Sequence, residues 1–277
     1  YIKIIYLVIK AVLKTFYLIR GWQSFLGWAV CIFQYASYIR YLESLKKFTN
    51  LKLAIIDRET LCPKALILAL EKKNIKTFAT QERFFQGFCP SLGNVIVDTY
   101  YTASNRVTEL MKESTNCKVK RFIPMGQYRT DYFSAFSKEK IPQEIFIEKE
   151  KGKKIITYIG TSTAHNWFDS SINISGINNS STRKFIEDAI KLSNELENVF
   201  IILRFRDLEW RENPSYADLI EKININKNLV ISDKYEEAFY SYKLCVHSDL
   251  VIAAHTSLAD ECLAYKKPVL LYEYTHN

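Results

Sequence analysis

The residues best suited to chemistry lie between Ser248 and Tyr272, in the run Ser-Asp-Leu-Val-Ile-Ala-Ala-His-Thr-Ser-Leu-Ala-Asp-Glu-Cys-Leu-Ala-Tyr-Lys-Lys-Pro-Val-Leu-Leu-Tyr. His255, Thr256 and Ser257 follow residues 250–254, an apolar run of the kind a parallel strand covered on both faces shows. Thr256 or Ser257 can cap the helix that follows, with Asp260 and Glu261 in its first turn. Pro268 stops the Lys-Lys turn, and residues 269–272 read as the next strand. In open α/β sheets, ligands sit beyond the carboxyl ends of strands, where helix N-termini offer N–H groups to anions. Hydroxyls and amides at such a turn suit a diphosphate. A carboxylate one helical turn later suits the hydroxyls of a ribose or sugar. His255 adds a group that can donate to a phosphate or carry a proton near neutral pH. A purely structural reading competes at each position: Thr256 and Ser257 as caps, Glu261 as a complement to the helix dipole, His255 as a packed imidazole.

Other residues point the same way. Arg204 and Arg206 end the run Phe200-Ile-Ile-Leu-Arg-Phe-Arg, and strand alternation predicts that they share one side. A guanidinium can hold a diphosphate bidentately and neutralise a departing phosphate; the competing reading is ion pairing with Asp207 or Glu209. Asp57, Glu82 and Asp131 are acids at strand ends or beside a cleft in the first half. One of them could deprotonate an acceptor hydroxyl, although most such acids are solvated or structural. Gly160-Thr161-Ser162 follows the apolar run 155–159 but is neither a full GxGxxG nor a Walker loop. No cluster with metal-ligand spacing is visible, so no metal site is expected.

The elements that must position these groups alternate. Strands are expected at 53–56, 77–80, 95–97 and 119–123, with helices at 61–73 and 102–114. Residues 134–153 are charged and weakly patterned and read as a linker. A second run follows: strands at 155–159, 199–205, 229–232 and 250–254, helices at 182–196, 215–224 and 235–246, and a long Asn/Ser-rich loop at 165–181. This alternation is the mark of parallel sheets covered by helices, here in two α/β lobes, 51–140 and 150–277, with ligand turns facing a cleft.

Residues 1–50 differ in character. They carry Lys3, Lys10, Lys14, Arg20, Arg40, Lys46 and Lys47 against a single acid, Glu43, whereas the whole chain of 277 residues has a net charge of +8. The remainder is therefore nearly neutral, which argues against a general nucleic-acid surface. Two helical stretches, 2–19 and 22–48, are rich in aromatics and interrupted by polar residues. They read either as helices packed on the first lobe or as an interfacial face resting on an anionic membrane; a true span fits less well. The six cysteines lack paired spacing and read as thiols in a reducing compartment, and no secretory signal is evident. With Tyr first and a turn-like Tyr-Thr-His-Asn last, the chain reads as a fragment shortened at both ends.

Taken together, Ser248-Asp249-Leu-Val-Ile, His255-Thr256-Ser257-Leu-Ala-Asp-Glu261 and Lys267-Pro268-Val269 resemble the second-lobe "D-x-V-I … T/S-S … E … G-K-P-V" pattern of GT-B-type glycosyltransferases of bacterial surface-polysaccharide synthesis, the enzymes of capsule, lipopolysaccharide and teichoic-acid-like polymers. Lys266 stands where that pattern commonly has Gly. In the first lobe, Gln81-Glu82-Arg83 stands where the family has Gln-His-Gly, which weakens a catalytic role for that turn, and Gly126-Gln127-Tyr128-Arg129-Thr130-Asp131 is similar to the family's "G-x-x-R-x-D". The resemblance covers about residues 50–277. It implies two Rossmann-like lobes and metal-independent transfer of a sugar from a nucleotide-sugar, a substrate rather than a cofactor, to a saccharide or lipid-linked acceptor at the cytoplasmic face of the membrane. It also implies donor contacts from Gly160, Thr161, Ser162, Thr256, Ser257 and Glu261. A CDP-alcohol polyol-phosphate transferase or a sugar-nucleotide epimerase of the same fold remains the alternative, as does a non-catalytic assembly subunit.

Overall fold

The computed structural model describes residues 5–6, 9–10, 12–13, 21–46, 50–57, 62–81, 95–113, 117–160, 179–234, 237–254 and 256–272. Within it the chain divides into two compact units, Tyr1–Gln127 and Tyr128–Asn277.

In the first unit residues 5–6, 9–10 and 12–13 are helical, and the long helix α1 (Trp22–Leu45) follows. Its C-terminal half packs: Ile39 and Leu42 are buried with Ala69, Leu70 and Ile75. Its N-terminal half leaves Leu26, Val30 and Phe33 exposed. No helix among the described residues is long and apolar enough to cross a membrane. A four-stranded parallel sheet follows in the order β1-β2-β3-β4, formed by β1 (Leu53–Ile56), β2 (Lys76–Thr80), β3 (Ile96–Thr102) and β4 (Lys118–Pro124). Helix α2 (Lys64–Lys72) joins β1 to β2, and α3 (Asn105–Glu113) joins β3 to β4. Strand β3 does not stop at Asp98, as its sequence suggests. The carboxylate there accepts the Thr77 N–H at 2.9 Å and Lys120 Nζ at 2.8 Å, so the sheet absorbs its charge and continues through Thr-Tyr-Tyr-Thr.

The second unit begins with α4 (Thr130–Phe136) and α5 (Gln143–Glu150); the end of α4 and all of α5 fall in the stretch 134–153 read from sequence as linker. Ile145 is fully buried in this unit, and Phe133 just before the stretch is buried too, which ties the charged segment down at both helices. The remaining elements are β5 (Lys154–Ile159), α6 (Asn179–Glu195), β6 (Val199–Arg204), α7 (Ala217–Asn224), β7 (Leu229–Ile231), α8 (Tyr240–His247), β8 (Leu250–Ala253), α9 (Ser257–Ala264) and β9 (Val269–Leu271). Two short 3₁₀ turns, Glu209–Glu212 and Pro214–Tyr216, precede α7.

The five strands run parallel in the order β7-β6-β5-β8-β9. The central strands are buried nearly throughout, which is why they read as unbroken apolar runs. Alternate side chains enter opposite layers. Tyr158, Ile201, Leu203 and Ile252 join Phe185 and Ile186 of α6 and Leu219 of α7. Ile159, Val251 and Ala253 join Phe133, Leu258 and Cys262 on the other face. At roughly 2 kcal/mol for each fully buried large apolar side chain, these layers are what hold the strand ends in place.

Candidate functional site

The chain leaves β5 toward β6 and β7, then returns to the other side of β5 with β8 and β9. The carboxyl ends of β5 and β8 therefore flank a point where the winding reverses, the usual ligand position in open α/β sheets. Gly160 leaves β5 there, its N–H bonded to the Arg204 carbonyl at 2.9 Å, and Ala254 bonds back to the Ile159 carbonyl at 3.3 Å. A Cβ on Gly160 would lie 2.2 Å from the Phe205 ring, so only glycine fits. Thr161, Ser162 and His255, expected beside it, lie outside the described residues, as does Glu82.

Thr256 is the N-cap of α9, its hydroxyl accepting the Leu258 N–H at 3.3 Å, and Ser257 is the first helical residue. One turn later the Glu261 side chain is only 1% exposed. Tyr242 donates its hydroxyl to Oε2, and Arg129 Nη1 stands 3.7 Å from Oε1. Burial pushes the Glu261 carboxyl above its ordinary range, more than the Tyr242 hydrogen bond and the Arg129 charge pull it down. Burial, together with the adjacent carboxylate, also raises Tyr242, which stays a donor.

Arg204 closes the neighbouring end of β6. It is 6% exposed, donates Nε to Ser241 Oγ at 3.1 Å and lies 5.8 Å from the centre of the Tyr240 ring. Tyr240 is fixed in turn by donating to Glu144, with Lys234 bonded to both. The expectation that Arg204 and Arg206 share a side is corrected. The strand ends at Arg204, Phe205 turns into the core, and Arg206 faces solvent.

The remaining expected acids stand apart in sequence and in unit. Asp57 is exposed just beyond β1 in the first unit. Asp131 is exposed in the first turn of α4 and belongs to the second unit rather than to the end of the first. A small cavity, about 20 Å³, opens in the first unit among Thr77, Asp98, Lys118 and Lys120. It lies toward the amino ends of its strands, and its carboxylate is already satisfied by Thr77 and Lys120, so it is no substitute for the carboxyl-end site. Among the described residues no group of three or more His, Cys, Asp or Glu is placed to hold a metal.

Sequence reasoning passed over Arg129, Tyr240, Ser241 and Tyr242. Arg129 lay in plain sight as the arginine of the G-x-x-R-x-D stretch. The Tyr-Ser-Tyr at the start of α8 carries no motif, and only the packing of α8 beside α9 reveals it.

A family model described as CDP-Glycerol:Poly(glycerophosphate) glycerophosphotransferase matches residues 66–277. No curated protein matches the chain. Solved structures with a similar fold include a UDP-N-acetylglucosamine 2-epimerase from Listeria monocytogenes, described as putative (12% identity, 87% of this chain, 62% of that one, TM-score 0.58). The S. aureus MnaA–UDP co-structure is similar at 13% identity over 86% of this chain and 62% of that one, with a TM-score of 0.60. UDP-GlcNAc 2-epimerase from Neisseria meningitidis bound to UDP-GlcNAc is similar at 13% identity over 87% and 64%, with a TM-score of 0.58. The chain thus spans less than two thirds of the length of these structures. At such identities they establish the fold alone: two Rossmann-like units of the GT-B type.

Proposed function

Because the chain belongs to the CDP-glycerol:poly(glycerophosphate) glycerophosphotransferase family, we propose that it transfers glycerol phosphate from CDP-glycerol to the terminal hydroxyl of a poly(glycerophosphate)-type acceptor. The observation that carries this reading is the winding reversal between β5 and β8, where a glycine with no room for a side chain ends β5 and the capped helix α9 follows β8. Two phosphates need closely spaced donors and positive dipole, and this edge supplies both. The epimerase alternative gains nothing from the structural neighbours, whose likeness extends to fold only. Transfer of a sugar, the narrower expectation, is less well supported than transfer of a polyol phosphate, since the family description names the latter.

In this reading the α9 amides and the hydroxyls of Thr256 and Ser257 hold the donor diphosphate, with further contacts from Gly160, Thr161 and Ser162. Arg204 lends positive charge from behind the strand ends, and Arg206 meets the outer phosphate oxygens. Glu261, covered to 1% exposure, meets the ribose hydroxyls through Oε1 only once that oxygen is uncovered, while Tyr242 keeps Oε2 in place. The acceptor hydroxyl attacks the β-phosphorus, the bond to the bridging oxygen breaks, and CMP leaves with that oxygen. His255 takes the acceptor's proton; Asp57, Glu82 and Asp131 are the other candidates for that role. Such a reaction asks the protein mainly to position groups and neutralise charge. The basic, aromatic N-terminal segment, with Leu26, Val30 and Phe33 exposed on α1, suits an anionic membrane surface from which a lipid-linked acceptor arrives.

The test is a product assay. With CDP-glycerol and an oligo(glycerol phosphate) acceptor, the protein is expected to release CMP and lengthen the acceptor by one unit per CMP. Release of UDP from a UDP-sugar in the parallel reaction, with CDP-glycerol left intact, contradicts the assignment.

A further inference from the structure

Beside Glu261 lies a group of rings that the reading above leaves without a task. Tyr132 of α4 and Phe239, the residue before α8, stack with ring centres 4.6 Å apart and planes 24° from parallel. Both are exposed, at 40% and 47%. Of their neighbours in the cluster, Phe133 is fully buried and Phe136 and Tyr265 are half-buried. Phe239 is also held at φ +63°, in the left-handed region that a bulky side chain seldom adopts. Tyr242 connects this pair to the carboxylate. Its hydroxyl reaches Glu261, and its ring lies 5.5 Å from Tyr132 and 5.9 Å from Phe239. One phenol ring separates the buried Glu261 carboxylate from a flat aromatic shelf.

A nucleoside has the matching layout, vicinal hydroxyls at one end and a planar base at the other, about one ring's length apart. We propose that the Tyr132–Phe239 pair is the base platform of the donor site and stacks the pyrimidine of a nucleoside diphosphate. This rests on the donor reading given above and extends it to the part of the donor that does not react. Stacking on an aromatic face is tolerant of base identity, so the shelf supplies affinity, and hydrogen bonds elsewhere distinguish one pyrimidine from another. Remote binding of this kind also helps hold the reacting phosphate in line.

The experiment is calorimetric titration of CDP and of inorganic pyrophosphate into the chain and into Phe239→Gly, Phe239→Tyr and Tyr132→Ala. Glycine relieves the left-handed backbone, so the loss of the ring is not confused with added strain, and thermal unfolding checks each variant. Phe239→Gly and Tyr132→Ala are each expected to weaken CDP by about tenfold and leave pyrophosphate unchanged, while Phe239→Tyr retains CDP binding. Wild-type affinity for CDP in both ring-deleted variants overturns the platform and leaves the diphosphate site intact. Equal weakening of CDP and pyrophosphate overturns it also, since the rings would then act only on the phosphates' surroundings. If the unaltered chain binds neither compound, the donor reading itself fails and the platform with it.

Discussion

Tyr242 donates its hydroxyl to the carboxylate of Glu261 across the contact between α8 and α9, leaving Glu261 Oε1 3.7 Å from Arg129. A buried carboxylate with a raised pKa is stable when protonated and is penalised when ionised. Folding stability from this group is therefore greatest below the ordinary glutamate pKa. It falls as pH rises from there through the raised value, because the folded chain holds its proton longer than the unfolded chain does. Glu261→Gln removes that dependence. Urea unfolding across the acidic range is expected to show a declining contribution in the natural protein and a flat one in the variant. An identical slope in both would mean that Glu261 titrates as an ordinary exposed acid. Tyr242→Phe should act in the opposite sense on binding. Without the donor the carboxyl rises further, so CDP affinity, if it needs the ionised form, reaches half its maximum at higher pH than in the natural protein.

Gly160 is fixed by its neighbour rather than by its backbone. Adding one methyl drives it into Phe205, whose ring is packed 4.9 Å from that of Trp210. Overpacking of this order costs about 1–3 kcal/mol, so Gly160→Ala should lower the urea midpoint by a corresponding amount. Phe205→Leu in the same chain should recover part of the loss, giving a favourable coupling between the two sites. Strictly additive losses would show that the two residues do not meet.

Lys266 occupies a position where the resembled pattern commonly has Gly, and the structure gives the reason. It follows the last turn of α9 at φ +63°, and the Lys267 and Lys266 N–H groups bond back to Cys262 and Leu263. This is a helix ending that favours glycine, because a Cβ in the left-handed region costs about 1 kcal/mol. Lys266→Gly is expected to stabilise the protein by about that amount in chemical unfolding. A loss of stability would show that the Lys266 side chain makes up for the strain.

Much of the fold was legible because the central strands are buried on both faces. Runs such as residues 155–159 and 250–254 need no partner to be recognised, and β1 at Leu53–Ile56 falls where the pattern places it. The errors arise where tertiary contacts override local pattern. Asp98 looks like a strand terminus until Thr77 and Lys120 satisfy it. Residues 134–153 look like a linker until Ile145 of α5 buries its side chain in the second unit. Helix α8 starts at Tyr240, five residues beyond the expected start at 235, after the left-handed turn at Phe239. In the second unit, the Thr256 cap of α9 and the place of Glu261 on that helix were legible from spacing. Tyr242, Ser241 and Arg129 were not, since their relation to Glu261 and Arg204 exists only once α4, α8 and α9 have packed.

The N-terminal half of α1 presents Leu26, Val30 and Phe33 to solvent within a basic segment. If this face meets an anionic leaflet, the protein should sediment with phosphatidylglycerol vesicles and not with phosphatidylcholine ones, and rising salt should release it. Replacing the three apolar residues by Ser should reduce binding at least tenfold without changing the unfolding midpoint. Equal sedimentation of both proteins with both lipids would remove the membrane from the account.

The central claim is that the carboxyl edge of the second sheet cradles a nucleoside diphosphate, and a crystal of the protein soaked with CDP tests it most directly. The account predicts density for the diphosphate between Gly160 and the Thr256-capped end of α9, with the ribose turned toward Glu261. Density elsewhere, such as beside Asp98 in the first unit, with the β5–β8 reversal left empty at saturating CDP, would contradict it.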